Sequence, residues 1–208
     1  MIYTFGNSHA HFFTGTHPST GGWGKKTNNF SSFSLGPVIA FNFFENHYQK
    51  LLNIIDSIKI DSTDFLMITV GEVDCRWHLP YQSFLQKRDI NDIVYECLVR
   101  FFRVYLDLKK RGYNVICWAG HPSTTSGHDE NPESPVFGSC LERNRTTLIW
   151  ESHLKELCDV NDIPLVSVIH ELIDEEGLTK MDYFIDYCHL DTNKLSALVD
   201  DKFKKFFL

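Results

Sequence analysis

Apolar residues along this chain alternate between short runs and longer stretches with helical spacing. The short runs are rich in β-branched and aromatic residues, and each is followed by residues that favour a loop. They predict strands at Ile2 to Phe5, Phe65 to Val70, Tyr113 to Trp118 and Leu165 to Val168. Short apolar runs alternating with amphipathic stretches are typical of parallel strands joined by crossover helices. The pattern therefore predicts an α/β fold with a small open sheet.

The longer stretches predict the helices that connect these strands. Apolar residues recur at helical spacing in Val38 to Ile60, Ile90 to Lys110 and Arg143 to Leu157. Pro37 precedes the first stretch at a position that a first helical turn tolerates. Asp191 is a candidate N-cap for a last helix that continues to about Phe207.

Two stretches have neither pattern and are predicted to be long loops. They are His17 to Ser34, rich in Gly, Ser, Thr and Asn, and Gly120 to Gly138, which contains Pro122, Pro132 and Pro135. Long ordered loops in compact domains often carry function. Because no internal repeat, low-complexity run or linker divides the sequence, we expect a single domain over residues 1–208.

Composition and charge narrow the range of functions. The 208 residues are 43% hydrophobic, which is enough for one buried core and excludes general disorder. A net charge of -7 disfavours nucleic acid as a partner. Neither a leader of basic and apolar residues nor an apolar run of bilayer length is seen, so a cytoplasmic protein without a membrane span is expected. The six cysteines form no C-x-x-C pair and are expected to be reduced thiols.

Polar residues follow the predicted strands, at the edge of the sheet where α/β proteins bind ligands. These residues lie in four segments: Gly6-Asn7-Ser8-His9-Ala10-His11, Gly71 to His78, Ala119-Gly120-His121 and Asp186-Tyr187-Cys188-His189. A serine hydroxyl becomes a good nucleophile when a histidine removes its proton and a carboxylate orients that histidine. Ser8, His189 and Asp186 offer these three groups, although each motif is common when it is taken alone.

Taken together and in this order, four of the motifs resemble the sequence blocks of the SGNH/GDSL hydrolase superfamily. They are Gly6-Asn7-Ser8, Leu35-Gly36-Pro37, Gly71-Glu72-Val73-Asp74 and Asp186-Tyr187-Cys188-His189. The resemblance implies a three-layer α/β/α sandwich with a mostly parallel central sheet. It also implies that Ser8 is the nucleophile, that His189 is the general base oriented by Asp186, and that the backbone N–H groups of Ser8 and Gly36 form an oxyanion hole.

Val73 departs from the family pattern, because the family places at this position an asparagine that donates a hydrogen bond to the oxyanion. A valine side chain has no donor, and losing one such donor costs about 3 kcal/mol of transition-state stabilisation. Arg76 is a candidate replacement, and an ion pair of Arg76 with Glu72 or Asp74 is the alternative. The segment from Glu72 to Arg76 also resembles SGNH-like proteins associated with bacterial surface-glycan synthesis and modification.

The remaining histidines allow a rival from another chemical class. His9 and His11, together with Asp74 and His121, could ligate the metal of a phosphoesterase. This rival fits less well because Asn7 occupies the place of the aspartate that the calcineurin-like phosphoesterases require. We therefore expect neither a metal nor another cofactor.

Substrate-binding candidates are the histidines and tryptophans of the same segments. The principal ones are His9, Trp77, His78 and His121, and His17, His128, Trp23 and Trp118 are further aromatic candidates. The sequence thus predicts a serine esterase that acts on a short acyl ester, such as acetyl, of a carbohydrate or another polar small molecule. O-acyl transfer by the same residues and glycan binding without catalysis remain the alternatives, and the acidic charge favours neutral substrates.

Overall fold

A computed structural model describes residues 1–15, 25–26, 29–125 and 135–207 of the chain. Its centre is a sheet of six strands: β1 (Ile2–Gly6), β2 (Lys25–Lys26), β3 (Phe30–Ser34), β4 (Phe65–Thr69), β5 (Asn114–Trp118) and β6 (Leu165–Val166). The spatial order is β2-β3-β1-β4-β5-β6. β3, β1, β4, β5 and β6 are parallel, and β2 pairs with β3 in the antiparallel sense at the edge.

The four predicted strands are confirmed, but the assignment of residues 17–34 to a loop is wrong for β2 and, over a longer stretch, for β3. This strand pairs with β1 in register from Ile2 opposite Phe30 to Gly6 opposite Ser34. Its polar residues are accommodated inside the protein, where the Ser32 hydroxyl lies 2.7 Å from Thr4 Oγ1 and donates to the Ala10 carbonyl at 2.8 Å. Because these buried hydroxyl groups have hydrogen-bond partners, β3 can lie inside the protein without the apolar run that marks the other parallel strands.

The described helices are α1 (Phe43–Asn46), α2 (Tyr48–Ser57), α3 (Leu79–Gln86), α4 (Ile90–Lys110), α5 (Cys140–Asn161), α6 (Ile169–Leu172) and α7 (Thr192–Phe203). A 3₁₀ helix covers Ser8–Thr14, and a π-helical turn covers Asp74–His78. The single helix predicted over Val38 to Ile60 is wrong, since it begins at residue 43 and is interrupted at His47. α5 begins earlier than predicted because Ser139 and Glu142 form a capping box.

Helices cover both faces of the sheet, which confirms the three-layer sandwich. On one face α2, α4 and α5 bury a core that includes Leu51, Phe101 and Trp150. On the other face the 3₁₀ helix and α7 bury a second core, in which Phe13 and Phe203 pack edge to face at 5.8 Å between ring centroids. Among the described helices, none has both the length and the apolar character needed to cross a membrane.

The strand order places a binding crevice beside β1. From β1 the chain passes to β3 on one side and then returns to β4 on the other. The connections on either side of β1 therefore leave in opposite directions, and such a switch point opens a crevice at the carboxyl ends of the two strands. Ser8 follows β1 and Glu72 follows β4, so both lie at this crevice.

Candidate active site

A tight turn after β1 presents Ser8 at the open edge of the sheet. Gly6 is required there, because a Cβ atom at this position would lie 2.6 Å from the carbonyl oxygen of Thr69. The Asn7 side chain then accepts a hydrogen bond from the His9 N–H at 3.1 Å and caps the 3₁₀ helix. Because Ser8 is the first residue of that helix, its own N–H has no acceptor within the helix and can bind a developing anion.

Ser8, His189 and Asp186 form a continuous hydrogen-bonded chain. Ser8 Oγ lies 2.8 Å from His189 Nε2, and His189 Nδ1 lies 2.7 Å from Asp186 Oδ2. Asp186 Oδ1 also accepts the backbone N–H groups of Cys188 and His189, both at 2.8 Å. This is the arrangement in which a serine hydroxyl can pass its proton to a histidine oriented by a carboxylate.

The surroundings of this hydrogen-bonded chain favour an unprotonated His189 and an ionised Asp186. Burial and the nearby charge of His9 lower the pKa of His189 below its usual value, although Asp186 opposes this shift. Burial acts to raise the pKa of Asp186, but hydrogen bonds from Cys188 and His189 outweigh it and hold that pKa below its usual value. An unprotonated imidazole beside a carboxylate is the state that a general base requires.

A second hydrogen-bonded chain runs beside the first. His9 Nε2 lies 3.0 Å from Glu72 Oε2, and Arg76 Nε donates to Glu72 Oε1 at 2.8 Å. Burial acts to raise the pKa of Glu72, but Arg76 and His9 outweigh it and hold that pKa well below its usual value. Arg76 also donates to the Pro135 carbonyl at 2.8 Å. A buried, ionised Glu72 therefore fixes His9 next to Ser8.

His121, which follows β5, completes the group of histidines. Its Nε2 lies 3.1 Å from the carbonyl oxygen of Cys188, and its ring centroid is 4.6 Å from that of His9. Burial lowers the pKa of His121 to about 3, and the charge of His9 acts in the same direction. The His9 ring in turn lies 5.0 Å from the His189 ring. The structure thus brings His9, His121 and His189 to one place.

A cavity of about 200 Å³ opens beside Ser8. Its lining comes from the turn after β1, the end of β5 and the segment that leads into α7: Ser8, His9, Phe12, Gly15, Trp118, His121, Ile185, His189, Leu190, Asp191, Thr192 and Asn193. The described walls combine the Ser8 hydroxyl and three imidazoles with apolar side chains. Such a mixture suits a small organic ligand.

Trp77 and His78 were predicted at the substrate site, but the structure places them away from this cavity. Trp77 stacks on Tyr81 with ring centroids 5.4 Å apart, and His78 lines a separate pocket with Ile39 and Phe41. The π-helical turn explains the difference, because it directs Arg76 inward and carries the next two residues toward α3. His17, Trp23 and His128 lie outside the described residues.

The two further oxyanion candidates have other partners in this structure. Gly36 has φ +83° and lies next to the Ser8 turn, since the Leu35 N–H donates to the Gly6 carbonyl. The Gly36 N–H donates to Ser34 Oγ at 3.2 Å, so an acyl oxygen would have to displace that hydroxyl. For Arg76 the contacts described above favour the alternative, an ion pair with Glu72.

The residues of the metal hypothesis do not come together as it requires. Asp74 accepts the Ala40 N–H at 2.8 Å and the Phe41 N–H at 3.4 Å, so it fastens a loop. Burial raises the pKa of Asp74 to about 7. His11 is buried and does not line the cavity. Within the described residues, Glu72 takes the place of Asp74 beside His9 and His121.

Sequence reasoning missed the roles of Glu72 and Arg143. The sequence predicts for Glu72 only an ion pair with Arg76. The i, i+4 spacing of these two residues gives no sign of the contact with His9, which lies 63 residues away from Glu72 in the chain. Arg143 is 1% exposed and holds the segment after His121, since it donates to Ser123 Oγ at 2.8 Å and to the Thr124 carbonyl at 2.7 Å. A lone arginine in an amphipathic stretch carries no pattern that would reveal this role.

Solved structures of known proteins share this fold. A GDSL-like lipase from Bacteroides thetaiotaomicron superposes with a TM-score of 0.60 at 15% identity, covering 98% of this chain and 87% of the other. A member of the lipolytic protein G-D-S-L family from Veillonella parvula gives 0.55 at 15% identity, with coverage of 98% and 96%. An acetyl xylan esterase, AlAXEase, gives 0.54 at 14% identity and full coverage of both chains.

At the level of sequence no family model matches the chain, and no similar sequence is found among curated proteins. At these identities the structural matches establish the fold. They agree with the resemblance drawn from the four sequence motifs, whose serine, histidine and aspartate meet in one hydrogen-bonded chain. The protein has the fold of the SGNH/GDSL hydrolases.

Proposed function

We propose that this protein is a serine esterase that hydrolyses short acyl esters, acetyl being the simplest, of a carbohydrate or another polar small molecule. The observation that carries the proposal is the geometry of the triad. Ser8 Oγ lies 2.8 Å from His189 Nε2, and the other ring nitrogen lies 2.7 Å from Asp186. The fold shared with a GDSL-like lipase and an acetyl xylan esterase adds support.

The reaction proceeds in two steps through an acyl-serine. In the first step Ser8 Oγ forms a bond with the acyl carbon while His189 Nε2 takes the hydroxyl proton, and His189 then gives that proton to the departing alcohol. In the second step water attacks the acyl carbon, His189 takes a proton from the water, and the proton returns to Ser8 as its bond to the acyl group breaks. The Ser8 N–H, with the Gly36 N–H if it is released from Ser34, stabilises the oxyanion.

An acyltransferase would use the same acyl-serine, with a hydroxyl of an acceptor molecule in place of water. The two activities differ in their product, so a hydrolysis assay repeated with an added alcohol separates them. A rise in transferred ester at the expense of free acid identifies transfer.

Turnover of a chromogenic acetyl ester tests the proposal. Ser8→Ala is expected to lower kcat at least about a thousandfold, because the acyl-enzyme cannot form. A fluorophosphonate should label the wild type at Ser8 and leave Ser8→Ala unlabelled. Ser196→Ala on the exposed side of α7 is the matched control and should retain both activity and labelling.

Two results would contradict the proposal. Equal turnover by the wild type and Ser8→Ala would exclude the serine mechanism, and loss of that turnover on chelation would favour metal-dependent hydrolysis. Absence of both labelling and turnover in the folded wild type would favour a glycan-binding protein on the hydrolase fold.

A further inference from the structure

His9 and His121 are two buried imidazoles that the triad chemistry does not use. Both line the cavity beside Ser8, with exposures of 7% and 3%. Buried polar groups normally have hydrogen-bond partners, and each partner that the protein supplies here engages only one ring nitrogen. The hydrogen-bond partner of the other nitrogen, Nδ1, therefore remains to be identified for each ring.

The partners of the Nε2 atoms determine where the protons lie. His121 Nε2 is 3.1 Å from the Cys188 carbonyl oxygen, which can only accept, so this nitrogen carries the proton. His9 Nε2 is 3.0 Å from Glu72 Oε2, and Glu72 is ionised beside Arg76. A carboxylate also only accepts, so His9 carries its proton on Nε2 as well.

The Nδ1 atoms are consequently hydrogen-bond acceptors. At neutral pH His121 is uncharged, because burial lowers its pKa to about 3. Among the described residues neither Nδ1 atom has a hydrogen-bond partner.

We propose that His9 Nδ1 and His121 Nδ1 bind two neighbouring hydroxyl groups of the substrate, so that the substrate is an ester of a sugar or another polyol with free hydroxyls near the acylated oxygen. This inference rests on the proposed esterase function and specifies its alcohol part. A pair of acceptors selects a ligand that donates, which hydroxyl groups do and carboxylates or phosphate dianions do not.

The size and walls of the cavity fit such a group. An apolar cavity of about 150 Å³ is enough to hold a benzene ring, and the cavity here measures about 200 Å³. A six-membered sugar ring is therefore not too large. Phe12 and Trp118 provide apolar wall on which the C–H groups of such a ring can pack.

A metal ion is the other ligand that two neutral imidazoles could bind. His9, Glu72 and His121 have ligand atoms within 4.8 Å of one another, and pinned Nε2–H groups are common in metal sites. Arg76 argues against this occupant, because its Nε already donates to Glu72 Oε1 at 2.8 Å and its positive charge would repel a metal ion. The hydroxyl ligand leaves that ion pair undisturbed.

Two acetyl esters that differ only in their hydroxyls test the inference. The probes are 2,3-dihydroxypropyl acetate and propyl acetate, and the measured quantity is the ratio of their kcat/KM values. The wild type is expected to favour the dihydroxy ester by roughly tenfold or more. The reason is that the Nδ1 atoms of His9 and His121 have no hydrogen-bond donor to pair with when propyl acetate is bound.

Glutamine variants remove the Nδ1 acceptor but keep an N–H donor that can replace Nε2. The amide of His121→Gln can still donate to the Cys188 carbonyl but lacks an atom equivalent to Nδ1, and His9→Gln can donate to Glu72 in the same way. Each variant is expected to lower the ratio by about tenfold, the value of one hydrogen bond. His170→Gln, which changes an exposed histidine paired with Glu151, should keep the wild-type ratio.

The possible results distinguish this inference from the proposed function. Fluorophosphonate labelling of Ser8 identifies the variants whose active site is intact. A ratio near one in the wild type, or an unchanged ratio in both labelled glutamine variants, overturns the inference while the esterase activity stands. Failure of both turnover and labelling in the wild type overturns the proposed function itself. Stoichiometric zinc in the wild type that His121→Gln loses overturns the inference in favour of a metal site.

Discussion

The carboxylate of Asp186 holds His189 at two points. Oδ2 lies 2.7 Å from the ring nitrogen Nδ1, and Oδ1 accepts the backbone N–H of the same residue at 2.8 Å. Because a carboxylate only accepts, the contact requires the ring proton on Nδ1 and leaves the Nε2 lone pair for the Ser8 hydroxyl. One side chain thus fixes both the position and the tautomer of the proposed base.

Asp186→Asn is therefore expected to lower kcat by about 10³- to 10⁴-fold with a much smaller effect on KM. An asparagine amide can present its NH₂ group to Nδ1, which favours the tautomer that cannot accept the Ser8 proton. Steady-state hydrolysis of a chromogenic acetyl ester measures the effect, and Asp182→Asn in the adjacent segment is the control. A loss below tenfold would show that the base does not depend on this carboxylate.

The acid side of the pH profile should report His189. The base acts when it is unprotonated, so kcat/KM falls as the pH drops through its pKa. Burial and His9 lower that pKa, so the midpoint is expected below the usual histidine value of 6.5.

The same profile tests the contribution of His9. Because the interaction with His9 lowers the pKa of His189, replacing His9 with Gln should move the midpoint upward. Glu72, Asp186 and His121 also act on His189 or its neighbours, so the comparison is best made between variants that retain all three. An unchanged midpoint would mean that His9 does not contribute to the pKa of His189.

The three residues of the proposed triad could be named from the sequence, because the chemistry fixes the residue types and the family motifs fix their order. The contact between His9 and Glu72 could not, because it joins residues 63 positions apart and neither motif needs the other. For Trp77 and His78 the opposite holds. They are close in sequence to Glu72 and are predicted to bind substrate, but the π-helical turn carries them away from the cavity. Proximity along a loop does not determine the direction of a side chain.

Glu72→Gln is expected to lower the free energy of unfolding by about 3 kcal/mol at neutral pH. The substitution leaves the guanidinium of Arg76, a residue that is 5% exposed, without its anionic partner. Urea denaturation measures the change, and Glu96→Gln, which breaks the exposed pair with Arg88, should have little effect.

The pH dependence of stability gives a second test of Glu72. Its pKa in the folded protein lies well below the usual 4.5, so its stabilisation is complete above pH 4.5 and is lost as the pH falls toward the folded value. The difference between the wild type and Glu72→Gln should therefore narrow below pH 4.5. A difference that stays constant into strong acid would contradict the ionised pair.

Gly71→Ala is expected to destabilise the protein by about 2 kcal/mol or more. Gly71 has φ +121°, and a Cβ atom there would lie 2.8 Å from the Trp150 ring. Gly112→Ala is the matched control, because φ is +91° but nothing lies within 4 Å of its Cβ position. Thermal unfolding compares the two. Equal losses would mean that backbone strain alone, and not the approach of Trp150, requires the glycine.

The fold was predictable to the extent that its segments are apolar. β1, β4 and β5 are short buried runs, and α4 has an uninterrupted amphipathic stripe, so their patterns are clear. β3 contains buried serines that tertiary hydrogen bonds satisfy, and local sequence does not reveal those bonds. The break at His47 likewise has no sign in the apolar pattern, although Phe43 before it packs on α4 with its ring 5.5 Å from that of Phe101.

The proposed nucleophile and its base are 181 residues apart in the chain, although their atoms are in contact. The loop of the base is followed by α7, whose Thr192 hydroxyl donates to the Phe12 carbonyl at 2.6 Å. Because translation makes Ser8 before His189, a growing chain first carries the proposed nucleophile without its proposed base. Ser8 is therefore expected to become reactive only after the segment that contains His189 has folded against the turn after β1.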